Sequence, residues 1–191
     1  MNSFVPLNSR ALIVRKSSST KYKLNLEKIE IKNFKNDEVI IKVYYSSLNY
    51  KDILLCSGNV GLVRKYPHVP GIDAAGVIVQ SNNRKFKIGE KVLVVARPMG
   101  VTSFGGLSEY IKVPSQWAEK IPKGLSLKKS MIFGTAGFTA KIAILKLLNK
   151  SLKKSSLPVL VSGSTGGVGS MAIYMLSKLG FKVFALTSNL K

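Results

Sequence analysis

The chain has 191 residues, of which 46% are hydrophobic, and its 30 Lys and Arg against 9 Asp and Glu give a net charge of +21. This length allows one large domain or two small ones with a core, and no apolar run approaches the roughly 20 residues of a membrane span. One cysteine, Cys56, excludes an internal disulfide and a multi-thiolate zinc site, and the single histidine, His68, cannot form a metal site alone. The composition therefore predicts a soluble globular protein without a metal.

The positive charge allows two interpretations. No acidic residue follows Glu119, whereas lysines continue to Lys191. Such a charge attracts polyanions, so non-specific nucleic-acid binding is one hypothesis. The lysines are scattered and are not interleaved with aromatic residues, which favours solvated surfaces or a missing acidic remainder.

The first half of the chain is rich in predicted strands. Residues 1–20 are free of acids and rich in Ser, as in a transit peptide, but Ala11-Leu12-Ile13-Val14 is more typical of a first strand. We therefore take the residues before it as a short tail. Short β-rich segments separated by Asn, Asp, Gly and Ser predict a barrel-like β domain. The strands are expected at residues 11–15, 22–29, 39–45, 74–80 and 91–95.

Helical patterns replace strands after residue 125. Ser126 is a candidate N-cap for a helix that carries Leu127 and Met131, and a second helix is expected to begin near Phe138. We place the domain boundary here, with one domain at residues 1–125 and a second at 126–191.

A glycine loop organises the second domain. A short apolar strand at residues 159–161 leads into Gly163-Ser-Thr-Gly-Gly-Val-Gly169, and an apolar helix and a second strand at 182–186 follow. Strand, loop, helix and strand form a βαβ unit whose helix N-terminus suits a pyrophosphate. The spacing G-x-x-G-x-x-G departs from the usual G-x-G-x-x-G, so a structural turn without a ligand stays open. A phosphate P-loop is disfavoured because no Gly-Lys-Ser/Thr follows.

Several separated motifs occur in an order typical of one family. They are Ser-Leu-Asn-Tyr-Lys-Asp at 47–52, Pro-Gly-Ile-Asp-Ala-Ala-Gly at 70–76, Gly-Thr-Ala-Gly-Phe-Thr-Ala at 134–140, and the glycine loop. Together they resemble the medium-chain dehydrogenase/reductase superfamily, in particular its zinc-independent quinone oxidoreductase branch and the acryloyl-CoA reductase-like subgroup. The resemblance implies an α/β protein: a GroES-like β-barrel domain followed by the first βαβ part of a Rossmann NADP-binding domain.

Two departures from that family are visible in the sequence. Zinc alcohol dehydrogenases of the superfamily carry Cys where this chain has Asn49, and His-Glu where it has Ile72-Asp73. The metal ligands are therefore absent. Complete members continue well past the equivalent of residue 191, so we expect a C-terminally truncated chain that lacks the rest of the Rossmann domain.

The resemblance implies hydride transfer from a nicotinamide to the activated C=C of an enoyl thioester, such as acryloyl-CoA, or to a quinone. Asn49, Tyr50 and Asp52 are the implied catalytic residues, and Tyr50 also borders the cofactor. The alternative is that Asn49 and Asp52 satisfy backbone groups in a turn. Asp73 is expected to be structural. Thr135 either contacts the nicotinamide or caps a helix.

The implied cofactor is NADPH. Thr165, Gly166, Gly167 and Val168 are the expected pyrophosphate contacts. Cofactor choice is made where the second strand ends, and an NAD enzyme commonly has Asp or Glu there. This chain has Thr187, Ser188 and Asn189 and no acid nearby, which favours a 2′-phosphate.

Two other functions remain open at this stage. One is a non-catalytic NADP-binding fragment or structural protein, and the other is a basic nucleic-acid-binding protein. For the reductase we expect a small-molecule substrate, a cytoplasmic location, no membrane contact and a homodimer when the protein is complete.

Overall fold

The computed structural model describes residues 7–18, 21–32, 34–58, 63, 65–150 and 157–188. Asn189, one of the expected cofactor contacts, lies outside these residues. The chain forms two compact units, Met1–Ile132 and Phe133–Lys191, which are described separately. The mixed α/β class predicted from the sequence is confirmed.

The first unit begins with an antiparallel hairpin. Strand β1 (Leu7–Lys16) pairs with β2 (Tyr22–Ile31) over its whole length, from Leu7 opposite Ile31 to Lys16 opposite Tyr22. Both strands extend beyond the predicted segments because the pairing continues through polar residues at either end. Ala11 and Ile13 face inward and pack with Val69.

A five-stranded antiparallel sheet forms the body of the first unit, in the order β6-β3-β4-β5-β7. Its core holds apolar side chains from every strand except β7, and Val39, Ile40 and Ile41 of β3 are all buried, as expected for a strand covered on both faces. The strands are β3 (Glu38–Tyr45), β4 (Ala74–Ser81), β5 (Lys91–Val94), β6 (Tyr110–Pro114) and β7 (Glu119–Lys120).

Two short helices of the first unit were not predicted. Helix α1 (Tyr50–Cys56) follows β3, and a 3₁₀ turn (Ser115–Trp117) follows β6. Helices of this length depend on tertiary packing rather than on their own periodicity, so the sequence pattern gave little sign of them.

Helix α2 (Leu127–Asn149) is interrupted at Gly134, where φ is 47° and ψ is −154°. The predicted cap is confirmed, since the Lys129 N–H donates to Ser126 Oγ at 3.1 Å. The prediction that a second helix begins near Phe138 is wrong: the break comes at Gly134, because glycine alone adopts this backbone conformation readily.

By length and composition, α2 is the one helix among the described residues that could cross a membrane, with a mean hydropathy of 1.5. The interruption at Gly134 leaves an uninterrupted helical segment shorter than the roughly 20 residues that a span requires. The length and composition of α2 are therefore weak evidence for a membrane segment.

In the second unit, two parallel strands flank a helix. Strand β8 (Val159–Ser162) pairs in parallel with β9 (Val183–Leu186), and helix α3 (Gly167–Lys178) connects them. Ile144 of α2, Leu176 of α3 and Phe181 form the centre of the core. This is the predicted βαβ unit, and it places the glycine loop between a strand and a helix N-terminus.

Candidate functional site

The segment before α1 is shaped by reciprocal hydrogen bonds between Asn49 and Asp52. Asn49 is the N-cap residue and has an extended backbone. The Asp52 N–H donates to the Asn49 carbonyl at 2.9 Å, and the Asn49 N–H donates to Asp52 Oδ2 at 2.8 Å. Two N-terminal backbone groups of the helix are thereby satisfied, which fixes the position of Tyr50 at its start.

The Asp52 carboxylate also binds a distant turn. Its Oδ1 accepts from the N–H groups of Gly71, at 3.1 Å, and Ile72, at 3.0 Å. The side chain is buried, and burial raises the pKa of Asp52, opposed by the backbone N–H groups that favour the carboxylate. Both oxygens are thus engaged with backbone, which is the turn-satisfying alternative stated for Asp52.

Asp73 fixes the side chain of Asn49. Its Oδ2 accepts from Asn49 Nδ2 at 2.9 Å, and its backbone carbonyl accepts from Ser46 Oγ at 2.6 Å. Because a carboxylate only accepts, the contact determines which end of the Asn49 amide faces Asp73. Asp73 is completely buried and Asn49 is half-buried, so this bond is partly shielded from water. We refer to Asn49, Asp52 and Asp73 as the buried carboxylate network.

Tyr50 differs from the residues of the network because 74% of its surface is exposed. Leu48 and Ile53 beside it are exposed as well. The two carboxylates of the network are buried and Asn49 is half-buried, whereas Tyr50 at the start of α1 is accessible to a ligand.

The described residues contain no group of three or more His, Cys, Asp and Glu side chains placed to hold a metal ion. His68 is buried, and its Nε2 lies 2.6 Å from the Gly100 carbonyl, to which it donates. Burial lowers the pKa of His68, which favours the neutral ring. Cys56 is a half-buried free thiol whose pKa burial raises.

The glycine loop is built from backbone contacts. The Gly166 N–H donates to the Gly163 carbonyl at 3.0 Å, and the Ser164 N–H donates to the Leu186 carbonyl at 3.2 Å. A Cβ on Gly169 would collide with the Gly163 carbonyl oxygen and lie 2.9 Å from Ser164 Cα. Only glycine at position 169 therefore permits the close approach between the helix and the loop.

The four expected pyrophosphate contacts lie at the exposed start of α3. Gly166 is its N-cap residue and Gly167 its first residue, and Thr165 and Val168 flank them. The first N–H groups of a helix have no partner within the helix, so they are available to an anion.

The remaining expected cofactor contacts lie after the break in α2 and after the end of β9. Thr135 directly follows the interruption of α2 and is half-buried, and its carbonyl accepts from Thr139 Oγ1 at 2.8 Å. Thr187 and Ser188 directly follow β9, as predicted, with Thr187 half-buried and Ser188 exposed.

Comparison with known proteins shows which proteins this chain is similar to. The alcohol dehydrogenase GroES-like domain family matches residues 35–123. The acrylyl-CoA reductase AcuI of Ruegeria pomeroyi is 41% identical over 178 residues, which is 93% of this chain and 54% of AcuI. The resemblance of this chain to the medium-chain dehydrogenase/reductase superfamily is thereby confirmed.

Solved structures of medium-chain dehydrogenase/reductase relatives agree with the fold. The Salmonella enterica YhdH oxidoreductase, crystallised with NADP, is 36% identical with a TM-score of 0.89 over 95% of this chain and 56% of its own. Bacillus subtilis YhfP, crystallised with NAD, is 42% identical with a TM-score of 0.90 over 96% and 55%. The GroES-like domain and the start of a Rossmann-like domain are thus confirmed. The chain spans about half the length of the relatives it matches.

The relatives named here are oxidoreductases, which does not favour the nucleic-acid or structural alternatives. The contact between Asn49 and Asp73 was not predicted from the sequence, because the two residues are 24 positions apart. Their motifs were both recognised, but nothing in either motif indicates that the side chains meet.

Proposed function

We propose that this chain carries the GroES-like domain and the start of the Rossmann-like domain of an NADPH-dependent, zinc-independent reductase that acts on the activated C=C of an enoyl thioester or on a quinone. The observation that carries the proposal is the glycine loop, where close backbone packing at Gly169 leaves the first N–H groups of α3 exposed. This geometry fits the pyrophosphate of a dinucleotide. The similarity to an acrylyl-CoA reductase supports the substrate class.

The preference for NADPH rests on charge. No acidic residue follows Glu119 in the sequence, so the segment directly after β9 lacks the Asp or Glu that an NAD enzyme commonly has there. Thr187 and Ser188 offer hydroxyl groups there. YhdH was crystallised with NADP and YhfP with NAD, so the two relatives do not by themselves decide between the cofactors.

The bound nicotinamide would supply the hydride, and the residues of this chain would orient the reactants. Asn49 is the candidate for a polar contact to the substrate or cofactor, with its amide held by Asp73. Tyr50 is the candidate for contacting the cofactor or donating a proton, since its phenol is exposed. Asp52 acts as a positioning residue, because its oxygens are occupied by backbone N–H groups.

The test begins with titration of the purified 191-residue chain with NADPH and with NADH. We expect tighter binding of NADPH, and equal binding of the two would overturn the cofactor assignment. Thr165→Ala is expected to weaken NADPH binding several-fold through loss of one hydrogen bond, whereas Thr139→Ala, which removes an exposed hydroxyl of α2, leaves it unchanged.

Activity is then measured as NADPH oxidation with acryloyl-CoA and with a quinone. We expect turnover that Tyr50→Phe reduces at least tenfold, with Tyr44→Phe as the matched control on another exposed tyrosine. Cofactor binding without oxidation of NADPH would instead favour the non-catalytic alternative.

A homodimer and a cytoplasmic location remain predictions. Light scattering would measure the oligomeric state, and cell fractionation would measure the location.

A further inference from the structure

A cavity of about 510 Å³ in the first unit takes no part in the site described above. It lies between the end of β2, strand β6 and the 3₁₀ turn that follows β6. Protein interiors rarely leave gaps larger than a water molecule, and this volume is within the range of small-molecule pockets. We call it the β2–β6 cavity.

Strand β6 presents two different faces. Ile111 and Val113 are buried in the core of the five-stranded sheet. Tyr110, Lys112 and Pro114 alternate with them and line the cavity. Because alternate residues of a strand point to opposite faces, the cavity lies on the face of β6 that the sheet core does not use.

The rest of the lining is mainly apolar. Ile29 and Ile31 near the end of β2 line the cavity, and Ile29 also packs with the core of the hairpin. Trp117 is half-buried against the sheet core. Phe104 packs edge-on against His68, with ring centroids 6.3 Å apart. These walls suit an apolar ligand, in particular an aromatic one, because rings pack favourably with one another.

The charged side chains at the cavity compensate each other. Lys112 Nζ lies 3.8 Å from Glu38 Oε2 and donates to the Lys32 carbonyl at 2.7 Å. Lys32 Nζ in turn lies 2.8 Å from Glu30 Oε2. The described lining residues thus include two cations and two anions that are paired, and paired charges do not favour a charged ligand.

Two hydroxyl groups at the cavity have no hydrogen-bond partner among the described residues. Ser103 Oγ is buried without a partner, and Tyr110 forms its hydrogen bonds through its backbone only. The turn that carries Ser103 is fixed, because the Gly100 N–H donates to the Ser103 carbonyl at 3.1 Å. A buried hydroxyl without a partner costs free energy, which a ligand that hydrogen-bonds to it would recover.

We propose that the β2–β6 cavity binds an uncharged aromatic molecule that carries one hydrogen-bonding group. The rings of Phe104 and Trp117 and the side chains of Ile29 and Ile31 hold its apolar body. The hydroxyl of Tyr110 or of Ser103, which turns about a single side-chain torsion, bonds its polar group. This inference does not depend on the proposed reductase, since none of these residues belongs to the buried carboxylate network or the glycine loop.

The test uses 2-tetralol, which joins an aromatic ring to a saturated ring with one hydroxyl, and 2-methyltetralin, which has a methyl group in place of that hydroxyl. Trp117 is the only tryptophan of the chain, so its fluorescence reports binding in the cavity. We expect 2-tetralol to change this emission and to bind the full 191-residue chain several-fold more tightly than 2-methyltetralin, measured by calorimetry.

The double variant Ser103→Ala/Tyr110→Phe removes two oxygens and leaves the apolar walls in place. It is expected to weaken 2-tetralol by about fivefold or more, and to change the affinity for 2-methyltetralin by less than about twofold. The matched control, Ser57→Ala/Tyr44→Phe, removes the same two groups outside the cavity and should leave both affinities unchanged.

The aromatic wall is tested separately. Phe104→Ala should weaken both probes to a similar degree, because it removes apolar contact and no hydrogen bond. Phe138→Ala is the matched control, since the two phenylalanines are equally exposed, at 46%, and Phe138 lies in the second unit.

Four results would overturn the inference. The first is that neither probe binds with a change in Trp117 emission. The second is equal affinity of the two probes for the natural chain, and the third is an equal loss of binding in a control variant, which would indicate adsorption to apolar surface elsewhere. The fourth is displacement of 2-tetralol by NADPH, which would assign the probe to the glycine loop.

Discussion

The buried carboxylate network and the glycine loop position candidate ligand contacts in opposite ways. In the network, the side chains of Asn49, Asp52 and Asp73 bind groups up to 24 residues away along the chain. The loop is shaped by backbone-to-backbone contacts, both within the loop and to Leu186 at the end of β9, and its side chains contribute little to its shape. The network depends on buried charge and hydrogen bonding, whereas the loop depends on the absence of side chains.

Substitutions in the two regions are therefore expected to be damaging for different physical reasons. A substitution in the network should leave a buried polar group unsatisfied, which costs stability. A side chain added in the loop should overlap with the backbone. The resulting displacement should be confined to the groups that contact the cofactor.

The largest effect is expected for Asp52→Asn. An amide can still accept from Gly71 and Ile72 through its oxygen, but its NH₂ group then faces the Asn49 N–H. The loss of a charged acceptor and the meeting of two donors should lower the free energy of unfolding by about 3 kcal/mol, measured by urea denaturation. Asp37→Asn is the matched control at an exposed position, with an expected change within about 0.5 kcal/mol. Equal effects of the two changes would contradict the role of burial.

Gly169→Ala is expected to have the next largest effect. The added methyl group overlaps the Gly163 carbonyl, and moving the loop to relieve this overlap should cost about 2 kcal/mol. NADPH binding should weaken by at least about tenfold, a factor that corresponds to 1.4 kcal/mol.

The control for this change is Gly167→Ala, assessed by stability alone. A Cβ at position 167 would lie 3.4 Å from the Ala136 Cβ, which is close to ordinary contact. We therefore expect little loss of stability, measured by thermal denaturation. A loss as large as that of Gly169→Ala would show that the loop resists any side chain, and not specifically one at the contact with Gly163.

The smallest expected effect is the dependence of folding stability on pH. The glycine loop from Gly163 to Gly169 has no titratable side chain, so pH dependence should originate in the first unit, where His68 is buried. Burial lowers the pKa of His68, so the unfolded chain binds its proton more readily than the folded one. Its contribution to stability should be present above the ordinary histidine pKa of about 6.5 and lost as pH falls toward the lower pKa of the folded state.

Urea denaturation between pH 5.5 and 7.5 measures this dependence. Because His68 is the only histidine, His68→Gln should flatten the pH profile in this range. A variant with the same slope as the natural chain would exclude His68 as its source.

The parts of the fold that follow from local sequence patterns could be predicted, and those that depend on distant partners could not. The strands of the hairpin and of the βαβ unit follow apolar patterns that are local, so their presence was predicted, although both hairpin strands are longer than the predicted segments. Helix α1 was missed because its start depends on Asp52 binding both Asn49 and a turn some 20 residues later.

The candidate site divides in the same way. The glycine loop was found from its own residues, since spacing and flanking pattern are sufficient to indicate it. The glycine at the break in α2 is visible in the sequence, but we predicted the helix start near Phe138 because of the apolar pattern after that glycine.

The interruption at Gly134 gives the second unit an additional helix start beside the loop. Helical backbone resumes at Thr135, and the small separation between positions 136 and 167 brings this start close to that of α3. The aligned peptide dipoles of each helix place about half a positive elementary charge at its N-terminus. Two such ends together supply roughly one unit of positive charge that belongs to no side chain, so neither deprotonation nor substitution of lysines would remove it.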